Sequence, residues 1–193
     1  MVTEGAVLTQ SEVRRPSPLA VGTMVWLASE LMFFGGLFAS YFTVRAATPV
    51  WPPEGVELEV VRDLIFTVLL VASSFTMQIG AHHLEKGNRP LARRWTVVTL
   101  VLGLVFLANQ AVEWFELPFT GTTHAYGSLF FSMTGFHGFH VLLGLVAMIG
   151  LLGRIVGPGP DPGDAAAAQV ITFYWHFVDV VWVVLFAVIF LLQ

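Results

Sequence analysis

The sequence predicts an all-α protein that lies in a membrane as a bundle of five transmembrane helices. Of its 193 residues, 56% are hydrophobic and only 11% are charged, and the mean hydropathy is +0.77. Soluble domains carry about 25% charged residues. Five apolar windows each have the length that a helix needs to cross a bilayer, roughly 20 residues. The polar segments between them are short and rich in Pro and Gly, which is typical of turns.

The five predicted spans follow one another in a single transmembrane domain over residues 19–193, behind a polar N-terminal tail over residues 1–18. They cover about residues 20–44, 63–84, 95–114, 127–152 and 169–192. Each span is too long for a strand of a membrane barrel, which has about 10 residues of alternating polarity. The chain has no cysteine, which excludes disulfides and thiolate metal sites. Its basic residues form no run that would indicate nucleic acid binding.

Basic residues predict the orientation of the chain in the membrane. With five spans, one side of the membrane receives Arg14, Arg15, Lys86, Arg89, Arg93, Arg94 and Arg154. The other side receives only Arg45 and Arg62, both at span edges. Because cytoplasmic loops carry the excess of Lys and Arg, we expect a cytoplasmic N-terminus and an external C-terminus. The first external loop carries Glu54, Glu57, Glu59 and Asp63. We expect it to be a solvated acidic loop or, alternatively, a docking surface for a basic partner.

Ionisable side chains inside the predicted spans are the candidate functional residues. A charged Asp at the middle of a membrane helix costs about 2.5–3.5 kcal/mol on the insertion scale, so such residues usually face the bundle interior and have partners. At a rise of 1.5 Å per residue, Glu30 and Asp179 both lie about 15 Å deep from the cytoplasmic side. Glu113 is a further ionisable residue within a span. We expect one polar layer that contains Glu30, His137, His140, His176 and Asp179.

Residue spacing groups these side chains by helix face but leaves their chemistry open. His176 and Asp179 are three residues apart and share a face, and the same holds for His137 and His140. Four interpretations fit this spacing. They are a structural hydrogen-bond network, a proton-handling or proton-gating group, a metal site built on the His-x-x-His pair, and a haem site with two axial histidines. A chain of this kind is a transporter, a sensor or an accessory subunit of a larger complex.

Six segments of the sequence resemble subunit III of the haem–copper oxidases, specifically of cytochrome c oxidase. They are "WLASELMFFGGLFASYF" at 26–42, "WPP" at 51–53, "AHHLEKGNRP" at 81–90, "QAVEWFELPFT" at 110–120, "YGSLFFSMTGFHGFHVLLG" at 126–144 and "YWHFVDVVW" at 174–182. The segments "SELMFF" and "GTTHAYGS" resemble the actinobacterial branch of the family. Long members of the family have seven spans, so the resemblance implies a short form without the first two.

The resemblance implies a non-catalytic subunit of a proton-pumping oxidase in the bacterial plasma membrane. Such a subunit supports proton uptake and the stability of the catalytic subunit during aerobic electron transport. Glu30 matches the buried glutamate of the family motif, and His176 and Asp179 match the motif of its last helix. The chain itself is expected to hold no cofactor and no metal, with haem a and copper in partner subunits and with bound phospholipid. Expected partners are catalytic subunit I, other oxidase subunits, membrane lipids and a respiratory supercomplex.

Two alternative functions use the same residues. One is the same subunit in a quinol oxidase or a nitric oxide reductase. The other is an independent proton-coupled transporter that relies on Glu30 and Asp179. A transporter is expected to show an internal repeat or broken helices, and neither is evident in this sequence.

Overall fold

Five long helices form the protein over residues 18–157, 159, 161 and 163–192, which are the residues that the computed structural model describes. Each helix is long and apolar enough to cross a membrane, and no strand occurs in this part of the chain. The helices are α1 (Pro18–Ala47), α2 (Val60–Glu85), α3 (Arg89–Glu116), α4 (Ala125–Val156) and α5 (Gly163–Phe186), and α5 continues into a π-helical turn over Ala187–Leu191. The predicted all-α membrane bundle of five helices is therefore confirmed. The predicted N-terminal tail lies outside the described residues, apart from Pro18.

Helices α2 to α5 form a closed ring, and α1 lies outside it. α2 packs along α3 and α5, α4 packs along the same two helices, and α1 contacts only α4 and α5 extensively. In the most apolar stretch of each helix, 61% of the residues of α5 are buried, against 6% of those of α1. α5 is thus the most buried of the five helices, while most of α1 is left open to lipid or to another subunit.

The helices extend beyond the predicted spans because local capping, and not only apolar length, determines where a helix begins. α3 begins at Arg89, although the first residues of this helix are polar. The side chain of Asn88 accepts a hydrogen bond from the backbone N–H of Leu91 at 3.3 Å, and Pro90 lies in the first turn. Both features stabilise a helix N-terminus. Gly87 just before them has a φ of 75°, which allows the short turn between α2 and α3.

The expected solvation of Asp63, which was counted with the acidic first loop, is wrong. In the structure α2 begins at Val60, so Asp63 lies in the first turn of that helix. Its side chain is buried, and the residue is only 2% exposed. Its Oδ1 atom accepts a hydrogen bond from Nδ2 of Asn109 on α3 at 3.2 Å. The predicted span begins at Asp63, next to the acidic residues of the loop, so its sequence neighbours alone indicate a solvated carboxyl group.

Trp175 is fully buried at the point where four helices approach each other. Gly103 of α3 and Gly144 of α4 leave space for its indole ring, since a Cβ atom on either would lie under 3.0 Å from ring carbons. Its Nε1 atom donates a hydrogen bond to Oγ of Ser73 on α2 at 2.8 Å. This packing fixes the rotation of α5, and with it the direction of the polar side chains on that helix.

Candidate functional site

The polar residues predicted to form one layer lie in three groups in the structure. Glu30 of α1 contacts His140 of α4. His176 and Asp179 of α5 both bind one serine of α2. His137 has no hydrogen-bond partner in the part of the chain that the structure describes. Depth alone, which was the basis of the predicted layer, does not distinguish these groups, because it carries no information on which helices are neighbours.

The Glu30–His140 pair joins the outlying helix α1 to the ring. Oε2 of Glu30 lies 3.0 Å from Nε2 of His140, and Oε1 of Glu30 accepts a hydrogen bond from Nε1 of Trp26 at 2.9 Å. The ring of Trp26 stacks on that of Tyr174 with 5.2 Å between centroids. The hydroxyl of Tyr174 in turn donates to the backbone carbonyl of His140 at 2.7 Å. The carboxyl group is therefore held by side chains of α1 and α4, and Tyr174 of α5 packs against both of these partners.

The hydrogen bonds of His140 require a proton between it and Glu30. Nδ1 of His140 lies 2.7 Å from the carbonyl oxygen of Phe136, which can only accept, so Nδ1 carries a hydrogen. In a neutral imidazole Nε2 is then an acceptor, and an ionised carboxylate is an acceptor too. Their contact at 3.0 Å is a hydrogen bond only if Glu30 is protonated or His140 is an imidazolium. In either case the pair carries one proton more than an ionised carboxylate beside a neutral imidazole.

His176, Ser74 and Asp179 form a hydrogen-bonded chain between α5 and α2. The hydroxyl of Ser74 donates to Oδ2 of Asp179. Its oxygen can then accept from Nδ1–H of His176, which lies 3.0 Å away. Oδ1 of Asp179 has no donor among the described residues, and the group borders an apolar groove of about 430 Å³. The arrangement orients an imidazole and a carboxyl group through one shared hydroxyl.

His137 is held by aromatic packing instead of hydrogen bonds. It is fully buried, with its ring centroid 4.8 Å from that of Trp182 and 5.9 Å from that of Phe106. Trp182 donates its Nε1 hydrogen to Oγ1 of Thr67 at 2.9 Å, so it is not a donor to the imidazole. His137 therefore makes none of the hydrogen bonds that link the other predicted site residues between helices.

The hydrogen bonds of these groups are of a kind that can bind and pass protons. In the described part of the chain, no three side chains of His, Cys, Asp or Glu gather in a way that could hold a metal ion. Nδ1 of His140 is engaged by its own helix, and Nδ1 of His176 by a hydroxyl. What remains is two carboxyl–histidine groups whose hydrogen bonds cross between helices.

Two features of the site were missed from the sequence. Ser74 was not singled out, although Asp63, Thr67 and Ser74 recur at helical spacing and mark one polar stripe on the buried face of α2. Glu113 was noted only as ionisable, yet it is 3% exposed and lies beside Asp63. The polar stripe on α2 is the signal that could have predicted both contacts.

Comparisons with known proteins relate the chain to one family over its whole length. The family model described as cytochrome c oxidase subunit III matches residues 1–193. The probable cytochrome c oxidase subunit 3 of Nocardia farcinica is 47% identical over 99% of this chain and 97% of its own length. Cytochrome c oxidase subunit 3 of Corynebacterium diphtheriae is 44% identical, covering 94% and 91% of the two chains. That of Thermostichus vulcanus is 35% identical, covering 97% and 94%.

Proposed function

Because this chain belongs to the cytochrome c oxidase subunit III family, we propose that it supports proton uptake by the oxidase and protects the catalytic subunit from inactivation during turnover. The chain is a subunit of a cytochrome c oxidase and a multi-pass protein of the bacterial plasma membrane. The family resemblance that the sequence motifs predicted, including the actinobacterial relatives, is confirmed.

The Glu30–His140 pair is the observation that carries the proposed role. Its hydrogen bonds require one proton, and the carboxyl group is half-buried while the imidazole is only 6% exposed. A protonatable group inside a membrane protein is by default a functional candidate. Since Glu30 lies on the helix that is least covered by the rest of the chain, it can exchange this proton with water or with a group on a neighbouring subunit.

The uncovered face of α1 supports a partner on this side of the bundle. It exposes large apolar side chains, namely Met24, Val25, Leu31 and Met32. We propose that catalytic subunit I, which would hold haem a and copper with the other oxidase subunits, lies against this face together with bound phospholipid. In this arrangement the Glu30–His140 pair would be next to the protein whose proton supply it supports. Assembly of the complex into a respiratory supercomplex is part of the same proposal.

The proposal includes the orientation of the chain in the membrane and its division into a tail and one transmembrane domain. The excess of basic residues in the connections on the N-terminal side supports a cytoplasmic N-terminus and an external C-terminus. We also propose that residues 19–193 act as one transmembrane domain behind the polar tail of residues 1–18. The names of the three relatives favour a cytochrome c oxidase over a quinol oxidase, a nitric oxide reductase or a separate transporter.

Depletion and add-back of this chain tests the proposal. The oxidase is purified with and without the chain, and its partners are identified by mass spectrometry and a reduced-minus-oxidised visible spectrum. We expect haem a absorbance in both samples, a similar initial rate of oxygen reduction, and slower proton uptake with faster inactivation in the depleted sample. Adding the purified chain back should restore both properties. Equal proton uptake and equal inactivation with and without the chain would overturn the proposal.

A further inference from the structure

A buried pair of acidic residues lies away from the Glu30–His140 pair, where α2 begins and α3 ends. Asp63 of α2 is 2% exposed, and Glu113 of α3 is 3% exposed. Their carboxyl groups lie within hydrogen-bond reach of each other. This end of the bundle also carries the α1–α2 and α3–α4 connections. The proposed function does not use either residue.

The hydrogen bonds around the two carboxyl groups are incomplete if both groups are ionised. Oδ1 of Asp63 is satisfied by Nδ2 of Asn109 at 3.2 Å. Oδ2 of Asp63 and Oε1 of Glu113 are buried without a donor among the described residues. Two adjacent carboxylates would repel each other and leave both oxygens unsatisfied, which is costly in a buried position. One proton held between the two groups removes the repulsion and supplies the missing donor.

An open cavity of about 720 Å³ connects Glu113 of this pair to the surface. Glu113 itself lines the cavity, together with Glu57, Glu59, Arg62 and Glu116. Glu57 and Glu59 are exposed residues of the α1–α2 connection. The buried pair is thus reached through Glu113 from an acidic cavity, which attracts and concentrates protons.

The neighbouring donors favour a proton over a metal cation as the bound species. Arg62 points its guanidinium into this region and forms an ion pair with Glu116. Asn109 presents its amide nitrogen, not its oxygen, to Asp63. A hard cation needs several oxygen ligands, and no three His, Cys, Asp or Glu side chains gather to hold a metal ion among the described residues. A proton needs only the two carboxyl oxygens.

We propose that Asp63 and Glu113 share one proton and form a proton-binding site that exchanges with water through this cavity. The charged and titratable groups that face it are Arg62 from α2, Glu116 from α3, Glu59 from the α1–α2 connection and Tyr126 from α4. Tyr126 and Arg62 are weaker acids than a carboxyl group, and Glu59 and Glu116 are exposed. The shared proton therefore belongs to the buried pair.

Infrared difference spectroscopy of the assembled oxidase tests this site. The Glu113→Gln variant should lose the C=O band of one protonated carboxylic acid, because Asp63 can then accept from amide donors and ionise. The Asp63→Asn variant should shift or remove the same band, since the acceptor of the proton has changed. Glu54→Gln is the matched control, because this exposed residue of the α1–α2 connection does not line the cavity. It should leave the acid band unchanged.

Three results would overturn the proposal. A loss of only carboxylate absorption in Glu113→Gln would mean that both groups are ionised. An acid band that appears in the unmodified complex only after a chelator is added would identify a bound metal cation. An acid band that does not shift after transfer to D₂O would exclude exchange with the cavity. If one variant does not assemble, the other still decides whether a shared proton is present.

Discussion

Nε2 of His140 lies 3.0 Å from Oε2 of Glu30, across the line where α1 meets α4. Nδ1 of the same imidazole is committed to the carbonyl oxygen of Phe136 at 2.7 Å. The two residues therefore form one unit that holds a proton, and this unit is also a polar link between α1 and the ring of the other helices.

The pair should behave as one unit in a double-mutant cycle. Glu30→Gln and His140→Phe each remove the shared proton, so the variant with both changes should inactivate during turnover no faster than the more affected single variant. Residues in direct contact show coupling energies of about 0.5–3 kcal/mol, whereas independent sites are additive. The measurement is the lifetime of oxidase activity in each of the four complexes. Additive effects would mean that the two residues act separately.

Ser74→Ala should destabilise the chain because it leaves Asp179 without a hydrogen-bond donor among the described residues. An unsatisfied buried polar group costs about 1–3 kcal/mol. The double variant with Ser74→Ala and Asp179→Asn should recover part of this loss, because a neutral amide replaces the unsatisfied acid. The readout is the thermal midpoint of the purified complex. Ser40→Ala is the control, because Ser40 is exposed and bonds only within its own helix.

A midpoint for Ser74→Ala equal to that of Ser40→Ala would contradict the hydrogen-bonded chain from His176 to Asp179. If adding Asp179→Asn to Ser74→Ala recovers no stability, the loss comes from packing and not from the unsatisfied carboxyl group.

Gly144→Ala should destabilise the core, because the added Cβ atom would lie 2.6 Å from carbons of the Trp175 ring. Overpacking of a tight core costs about 1–3 kcal/mol. Gly150→Ala on the same helix is the matched control, since its Cβ atom would meet nothing within 4 Å. The control should change the stability by no more than about 1 kcal/mol and in the favourable direction. Equal thermal midpoints for the two variants would show that Trp175 can move aside.

Arg89→Lys should loosen the end of α4 where the connection to α5 begins. The guanidinium donates to the carbonyl oxygens of Arg154 and Ile155, both at 2.9 Å, and lies 3.5 Å from Asp164. A lysine keeps the charge but lacks the planar set of donors. Amide hydrogen exchange in the last turn of α4 should become faster. Arg93→Lys, at an exposed position of the same helix, should leave it unchanged, and equal exchange in the two variants would contradict the prediction.

The sequence was sufficient to predict the five helices because apolar length is a strong local signal. It was less informative about polar helix ends, where Asn88 starts α3 within a basic segment and Asp63 lies in the first turn of α2. These ends depend on capping and on neighbours from distant parts of the chain. An acidic residue next to a loop has the same local signal whether it is solvated or buried.

The candidate site could be predicted as a set of residues but not as a set of contacts. Spacing correctly indicated that His176 and Asp179 share a face, and both bind Ser74. It could not indicate that His140 meets Glu30 while His137, three residues earlier, packs against Trp182. Which helix faces which is determined by packing such as that around Trp175. The sequence of one helix does not show which other helices it contacts.

The most direct test of the central claim is the comparison of Glu30→Gln with the unmodified oxidase, with Glu85→Gln as a control at the exposed end of α2. Both variants should assemble and show the haem a spectrum, because glutamine keeps the volume of the side chain. We expect Glu30→Gln to slow proton uptake and to shorten the lifetime of activity several-fold, while Glu85→Gln matches the unmodified complex. An unchanged steady-state rate, pumping ratio and inactivation rate in Glu30→Gln would contradict the account and reduce Glu30 to a packing residue.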